Sequence, residues 1–168
     1  MQQEQSLIRE LLDKQACAEL VYTLARGIDR MDEELIRSVF HADAVVDFGH
    51  FRGTAGEFVR WVMALLPSMK RTQHCICNQL IEVRGDVAHG ESYVVAVHDM
   101  AGDKDMTMTF GGRYIDRFER RNGVWKNARR VVVSDWTSLV PSTDSWDRSP
   151  AAPRIFGRRD REDPSYRR

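Results

Sequence analysis

The sequence has no excess of charge of either sign. Its 168 residues include 25 Lys and Arg and 25 Asp and Glu, which gives a formal net charge of zero. A nucleic-acid-binding domain usually carries a basic patch, so this balance argues against a nucleic-acid partner. The C-terminal residues are rich in charge, but Arg158, Arg159 and Arg161 alternate with Asp160 and Glu162, a pattern typical of a solvated surface segment.

Long apolar runs and a secretory start are also missing. No stretch approaches the roughly 20 apolar residues that a transmembrane helix needs. Residues 1–5 (MQQEQ) lack a basic region followed by an apolar one, so we expect a cytoplasmic protein with no membrane partner. The three cysteines are expected as reduced thiols. Cys75 and Cys77 have no second ligand pair at zinc-like spacing, so no metal site is predicted.

The N-terminal part of the chain predicts three helices. Apolar residues recur at three- and four-residue steps between residues 5 and about 30, which favours one long helix. Asp32 is a suitable N-cap for a short second helix. Thr54 and Glu57 have the spacing of a capping box for a third helix that ends at Pro67. A strand is predicted between the second and third helices, at residues 43–48, and a loop at 49–53.

The part after Pro67 predicts a sheet. Four long strand-like segments follow, near residues 71–84, 86–99, 106–120 and 123–136. Turn residues separate them at 84–86, 101–104 and 121–123. Because short turns join neighbouring antiparallel strands, we expect a meander, and hence an α+β fold with helices on one face of a curved sheet.

The domain organisation follows from the same pattern. Residues 1–136 are expected to form one domain, and residues 137–168 a C-terminal tail. The tail holds four of the five prolines, and Trp146, Ile155, Phe156 and Tyr166 give it apolar surface to bury against the barrel or a neighbouring subunit.

Asp29 and His74 are the residues with the clearest chemical potential. Asp29 lies at the end of the predicted first helix and His74 lies on a predicted strand. A carboxylate that holds an imidazole in one tautomer makes a general base near neutral pH. An aspartate near a helix C-terminus is poorly placed for the helix dipole, which indicates another purpose. The alternative to a catalytic role is that His74 is a structural histidine of the core with its hydrogen bonds satisfied.

Three segments resemble the SnoaL-like, scytalone dehydratase-like branch of the nuclear transport factor 2-like superfamily. They are residues 28–32 (IDRMD) with Leu35 and Phe40, residues 72–78 (TQHCICN), and residues 111–125 (GGRYIDRFERRNGVW) followed by 129–136 (RRVVVSDW). The resemblance covers about residues 7–136. It implies a cone-shaped, mostly antiparallel sheet closed by three N-terminal helices, an α+β barrel.

The resemblance also implies a site inside the cone. Asp29 and His74 match the two positions of the Asp–His dyad that enzymes of this branch share. Several relatives carry Tyr or Lys five residues before the aspartate, where this chain has Leu24. Tyr22, about two helical turns before Asp29, is therefore the candidate phenol.

Strand alternation sorts the other candidates. If His74 points inward, Asn78 does too. The matching positions of relatives place His98, Tyr114, Arg130 and Trp136 on the inner face. Arg130 is a candidate to assist the leaving group or to pair with a carboxylate. Asn78, His98, Tyr114, Trp136 and Phe48 are candidates to line an apolar, aromatic substrate pocket.

The functional hypothesis that follows is a cofactor-independent lyase. It would act on a hydrophobic, aromatic, hydroxylated small molecule, as a dehydratase or by loss of a halide or small aldehyde. No cofactor is predicted, since Gly111 and Gly112 lie inside a strand and open no phosphate-binding helix. The alternatives are an isomerase or cyclase and a non-catalytic ligand-binding or subunit-association module. Apolar residues on the outer face predict a homo-oligomer, a trimer ahead of a dimer.

Overall fold

Three helices precede the long strands, as predicted. The structure is a computed structural model that describes residues 1–102, 105–149 and 151–167. The helices are α1 (Gln2–Asp29), α2 (Glu33–Ser38) and α3 (Ala55–Leu65). Among the described residues, no helix is long and apolar enough to cross a membrane. The predicted turn at 101–104 includes two residues, 103 and 104, that lie outside the described residues, as does Pro150.

Helices α2 and α3 begin at the capping residues that the sequence predicts. The Asp32 side chain accepts a hydrogen bond from the Leu35 amide at the start of α2. Thr54 and Glu57 form both bonds of a capping box at the start of α3. Gly27 lets α1 approach α2 closely, because a Cβ at this position would lie 2.9 Å from Cγ1 of Ile36. The turn between the two helices therefore holds the C-terminal end of α1 in a fixed position.

Within the described residues, six strands form one open sheet. They are β1 (Phe40–Asp47), β2 (Arg52–Thr54), β3 (Met69–Arg84), β4 (Val87–Met100), β5 (Met106–Arg121) and β6 (Val124–Pro141). Their order is β2-β1-β6-β5-β4-β3, and all neighbours are antiparallel except β1 and β6. The predicted α+β class and four-stranded meander are confirmed. The predicted loop at 49–53 is partly wrong, because β2 begins at Arg52 and pairs with β1.

Two buried clusters fill the space between helices and sheet. One joins α1, α2, α3 and β1 around Ile36, Phe58 and Val59. The other joins α1 to β4, β5 and β6 around Val94, Phe118 and their neighbours. The long strands curve over α1, and this packing brings the end of α1 against β3.

The N-terminal part of α1 does not join this core. Residues 1–12 are all exposed, and the side chains of Leu7, Ile8, Leu11 and Leu12 are between 51% and 66% exposed. The apolar periodicity of the predicted helix continues through these residues, but their side chains stay exposed before Asp13. The helix extends past the sheet here, so the apolar side chains of its first turns have no surface of the same chain to pack against.

Two β-bulges overturn two predicted side-chain directions. Between Ile76 and Gln79 the register of β3 against β4 shifts, so Gln79 takes the inward position and Asn78 is exposed. A shift opposite Gly111 and Gly112 does the same on β6, where Trp136 is 51% exposed and packs over Gly111. Since side chains alternate strictly along a strand, one extra residue reverses every direction beyond it.

Candidate functional site

Asp29 and His74 lie in direct contact. His74 Nδ1 is 2.7 Å from Asp29 Oδ1, and the backbone N–H of His74 donates to Asp29 Oδ2 at 2.9 Å. The side chains of His74 and Asp29 are only 8% and 13% exposed. The carboxylate thus holds the imidazole through Nδ1 and leaves Nε2 as the atom that can exchange a proton with a ligand.

His98 on β4 adds a second imidazole to this site. Its ring is perpendicular to that of His74, with the centroids 5.5 Å apart. Burial, followed by the nearby His74, lowers the pKa of His98 from 6.5 to about 4. Its Nδ1 is buried and has no hydrogen-bond partner among the described residues. His98 is therefore uncharged at neutral pH and has an unused nitrogen beside the dyad.

The neutral state of His98 predicts how stability depends on pH. Its pKa is below the usual value in the folded state, so the unfolded chain binds the proton more readily between pH 6.5 and 4. The contribution of His98 to the free energy of unfolding should therefore be constant above pH 6.5 and fall by up to about 3 kcal/mol towards pH 4. Urea unfolding at several pH values measures this slope. His98→Gln should reduce the slope, and an unchanged profile in that variant would assign the slope to other groups.

A cavity of about 650 Å³ borders Asp29 of the dyad, and its lining does not include His74 or His98. It lies between the end of α1, the first residues of β3 and the C-terminal tail. Its lining includes Asp29, Arg30, Arg71, Thr72, Gln73, Val97, Asp99, Asp144, Trp146, Arg148, Ile155, Phe156, Gly157 and Arg159. This lining combines aromatic surface with arginines and aspartates, so it is more charged than the apolar pocket that the sequence predicted.

The tail forms one wall of this cavity, and it packs on its own chain. Tyr166 donates a hydrogen bond to Asp32 at 2.6 Å, and Arg26 donates to the hydroxyl of Ser165 at 3.0 Å. Asp163 is only 4% exposed and accepts hydrogen bonds from the hydroxyl of Ser165 and the amide of Arg158. The expectation of a solvated, mixed-charge segment holds for the side chains of residues 160–162, which are exposed, and is wrong for Asp163, which is buried.

Two of the predicted catalytic residues lie elsewhere. The Tyr22 hydroxyl donates to Gln79 at 2.7 Å, and the Tyr22 side chain is 46% exposed. Gln79 is roughly 15 Å from His74 along β3, so Tyr22 does not reach the dyad. Arg130 is buried, and both its Nε and Nη2 donate to Asp116 at 2.7 Å. The structure thus favours the ion-pair interpretation of Arg130.

The predicted pocket-lining residues are also dispersed. Tyr114 is buried in the core cluster, with the guanidinium of Arg130 4.0 Å from its ring centroid. Phe48 stacks on Phe58, with the ring centroids 5.6 Å apart. Asn78 and Trp136 are exposed, for the reasons given by the bulges. Of the predicted binding residues, His98 alone contacts the dyad.

Unpartnered polar atoms concentrate around the dyad. Thr72 Oγ1, His98 Nδ1, and Nε and Nη2 of Arg159 are buried without a hydrogen bond among the described residues. Thr72 and Arg159 line the cavity, and His98 contacts His74. Buried polar groups are nearly always paired, so such a concentration indicates a place where a ligand completes the hydrogen bonding. Sequence reasoning placed Thr72 on the inner face with His74 but assigned it no role. It missed Arg159, since nothing in the local pattern distinguishes this arginine from its neighbours.

The described part of the chain offers no metal site. No three His, Cys, Asp or Glu side chains converge within residues 1–102, 105–149 and 151–167. The chemistry available to the dyad on its own is proton transfer, since an oriented imidazole can take and return one proton.

An open, curved sheet with three N-terminal helices and a polar site at the end of the first helix defines the nuclear transport factor 2-like class. Residues 9–131 match the SnoaL-like domain, and the chain belongs to this family. The uncharacterised protein Rv2910c of Mycobacterium tuberculosis is 27% identical over 138 residues, covering 79% of this chain and 92% of that protein.

Solved structures share the fold. A candidate scytalone dehydratase from Novosphingobium aromaticivorans has a TM-score of 0.70 and 21% identity, covering 76% of this chain and 87% of that one. A hexachlorocyclohexane dehydrochlorinase from Novosphingobium barchaimii has a TM-score of 0.69 and 21% identity, covering 83% and 97%. At this identity the likeness establishes the fold, and function must be argued from the site.

Proposed function

We propose that the protein is a cofactor-independent lyase that eliminates water, or a comparable small group, from a hydroxylated and largely hydrophobic aromatic molecule. The observation that carries this proposal is the two-point contact between Asp29 and His74 beside a cavity of about 650 Å³. Two of the structures with the same fold are named for eliminations, a dehydratase and a dehydrochlorinase. That likeness adds plausibility to the reaction class and leaves the substrate open.

The proposed reaction is an acid–base elimination. His74 Nε2 takes a proton from the carbon next to the one that bears the leaving group, and the electron pair of that C–H bond forms the new double bond. The C–O bond breaks, and the imidazolium returns its proton to the departing hydroxyl, which leaves as water. Asp29 stabilises the imidazolium between the two proton transfers, because its carboxylate lies 2.7 Å from Nδ1.

Neighbouring groups support this chemistry. His98 is neutral at pH 7, so it does not repel the positive charge that His74 acquires when it takes the proton. Thr72 lines the cavity, and its buried Oγ1, which has no partner among the described residues, is a candidate to hydrogen-bond a substrate oxygen. The aromatic rings of Trp146 and Phe156 provide apolar surface for the rest of the molecule.

A panel of hydroxylated aromatic and polycyclic compounds tests the proposal. The protein, after treatment with a chelator, is incubated with each compound, and products are detected by mass spectrometry. We expect at least one compound to yield a product lighter by one water. Isomerisation would appear as a product of unchanged mass with a new retention time. Compounds that bind but are recovered unchanged throughout the panel would instead support a ligand-binding module.

A further inference from the structure

Arg159 reaches the site from the C-terminal tail and is held there by backbone carbonyls. Its Nη1 donates to the carbonyl oxygen of Leu66 at 3.1 Å and to that of Met69. These carbonyls lie at the junction of α3 and β3, just before the strand segment that carries His74. The two bonds fix the guanidinium at the wall of the cavity that Asp29 also lines.

The opposite edge of the same guanidinium has no acceptor. Nε and Nη2 of Arg159 are buried and make no hydrogen bond among the described residues. In Arg130 this same edge binds the carboxylate of Asp116, with both N–O distances at 2.7 Å. Two parallel N–H groups match the two oxygens of a carboxylate, and leaving buried charged donors unpaired is costly.

Asp29 does not satisfy this edge, although it is the carboxylate nearest to the site. Both its oxygens are already bound by His74, one by the ring and one by the backbone amide. No salt bridge joins it to Arg159 within the described part of the chain. Burial lowers the pKa of Arg159, and the charge of Asp29 acts in the opposite direction, so the two groups are electrostatic neighbours without direct contact.

We propose that Arg159 is a specificity-determining residue that binds a carboxylate of the substrate through Nε and Nη2. The substrate class is then a hydroxylated aromatic carboxylic acid, with its ring beside Trp146 and Phe156 and its acid group on Arg159. This inference rests on the proposed function, since it assigns the substrate of the same site. It explains why an arginine in the tail is desolvated, which a purely structural anchor would not require.

Paired acids and amides test this assignment. Benzoate, 2-naphthoate and 9-anthracenecarboxylate are compared with the corresponding neutral carboxamides by isothermal titration calorimetry on the full chain. A charge-assisted bidentate contact predicts that the acid binds about 10- to 100-fold more tightly than its amide. Arg159→Gln should remove this preference. Arg159→Lys should retain only part of it, because an ammonium group keeps the charge without the two-pronged geometry.

Arg161→Gln is the matched control. Arg161 also fastens the tail, through Asp32 and Glu34, but it does not line the cavity. This variant should keep the preference for acids. Such a result would show that the preference comes from carboxylate binding by Arg159, since Arg161→Gln changes the net charge by the same amount and also weakens the attachment of the tail. Thermal unfolding of each variant shows whether it is folded.

Equal affinity for every acid and its amide in the unaltered protein would overturn the inference. Retention of the full preference in Arg159→Gln, or its loss in Arg161→Gln, would also overturn it. The proposed lyase activity is judged separately, because the measurement needs no turnover. A protein that prefers acids yet converts none of the hydroxylated compounds in the panel would keep the role of Arg159 and reject the lyase. Conversion of a panel compound without a preference for acids would do the reverse.

Discussion

His74→Ala is expected to lower turnover of the substrate by about 10²–10⁴-fold while ligand affinity changes little. In the proposed mechanism the imidazole exchanges the proton through Nε2, because its Nδ1 lies 2.7 Å from Asp29 Oδ1. Binding should persist, because the Arg159 edge and the aromatic rings of the cavity do not depend on this ring. Steady-state kinetics give the loss in kcat, and calorimetry with a carboxylate ligand gives the change in Kd.

Three further variants separate chemistry from structure. His74→Gln can still donate to Asp29 but cannot act as a base, so it should be as inactive as His74→Ala. Asp29→Asn removes the charge that stabilises the imidazolium and should also lower kcat. His89→Ala changes an exposed histidine on the neighbouring strand and should keep full turnover. Full activity in His74→Gln would refute His74 as the base.

Asp116→Asn is expected to destabilise the fold by about 3–5 kcal/mol. The side chains of Asp116 and Arg130 are 0% and 3% exposed, so this substitution leaves a buried guanidinium without its counter-ion. Asn127, which donates to Asp116 at 2.8 Å, would also lose a charged acceptor. Urea unfolding, followed by tryptophan fluorescence and circular dichroism, measures the free energy of unfolding.

Two comparisons identify the cause of this loss. Asp116→Leu combined with Arg130→Met should recover much of the stability, because removing both charges also removes the desolvation penalty. Asp135→Asn disrupts a bidentate pair with Arg113 of similar geometry that is exposed to solvent, and it should have a much smaller effect. If Asp116→Asn were as mild as Asp135→Asn, the buried pair would have to be reached by water.

Much of the fold could be predicted from local patterns. The caps at Asp32 and Thr54 depend on contacts over three residues, and the structure contains both. The long strands could be predicted from alternation and from turn residues such as Asn122 and Gly123, which both adopt positive φ values. The bulges could not be predicted, since an extra residue in a ladder depends on what the partner strand and the opposing core require.

The candidate site likewise contains residues that could be predicted from the sequence and residues that could not. Asp29 and His74 could be recognised because the chemistry needs these two residue types and the resemblance supplied both positions. Asn78 and Trp136 were assigned to the inner face by alternation, which fails beyond a bulge. Tyr22 was chosen by helical periodicity as a substitute for the residue that relatives carry at the position of Leu24, and its hydroxyl instead donates to Gln79.

The sequence by itself determined the helices, the meander and the pairing of a carboxylate with an imidazole, because each depends on local propensity or on residue identity. Only the tertiary structure decided that the tail folds back over α1 and that Arg159 stands beside Asp29. These contacts join residues more than 90 positions apart, such as Arg159 with Leu66, and they form only when the packed core has fixed both surfaces. An arginine in solvent and an arginine with a buried, unpaired edge are identical in the sequence, and desolvation alone distinguishes them.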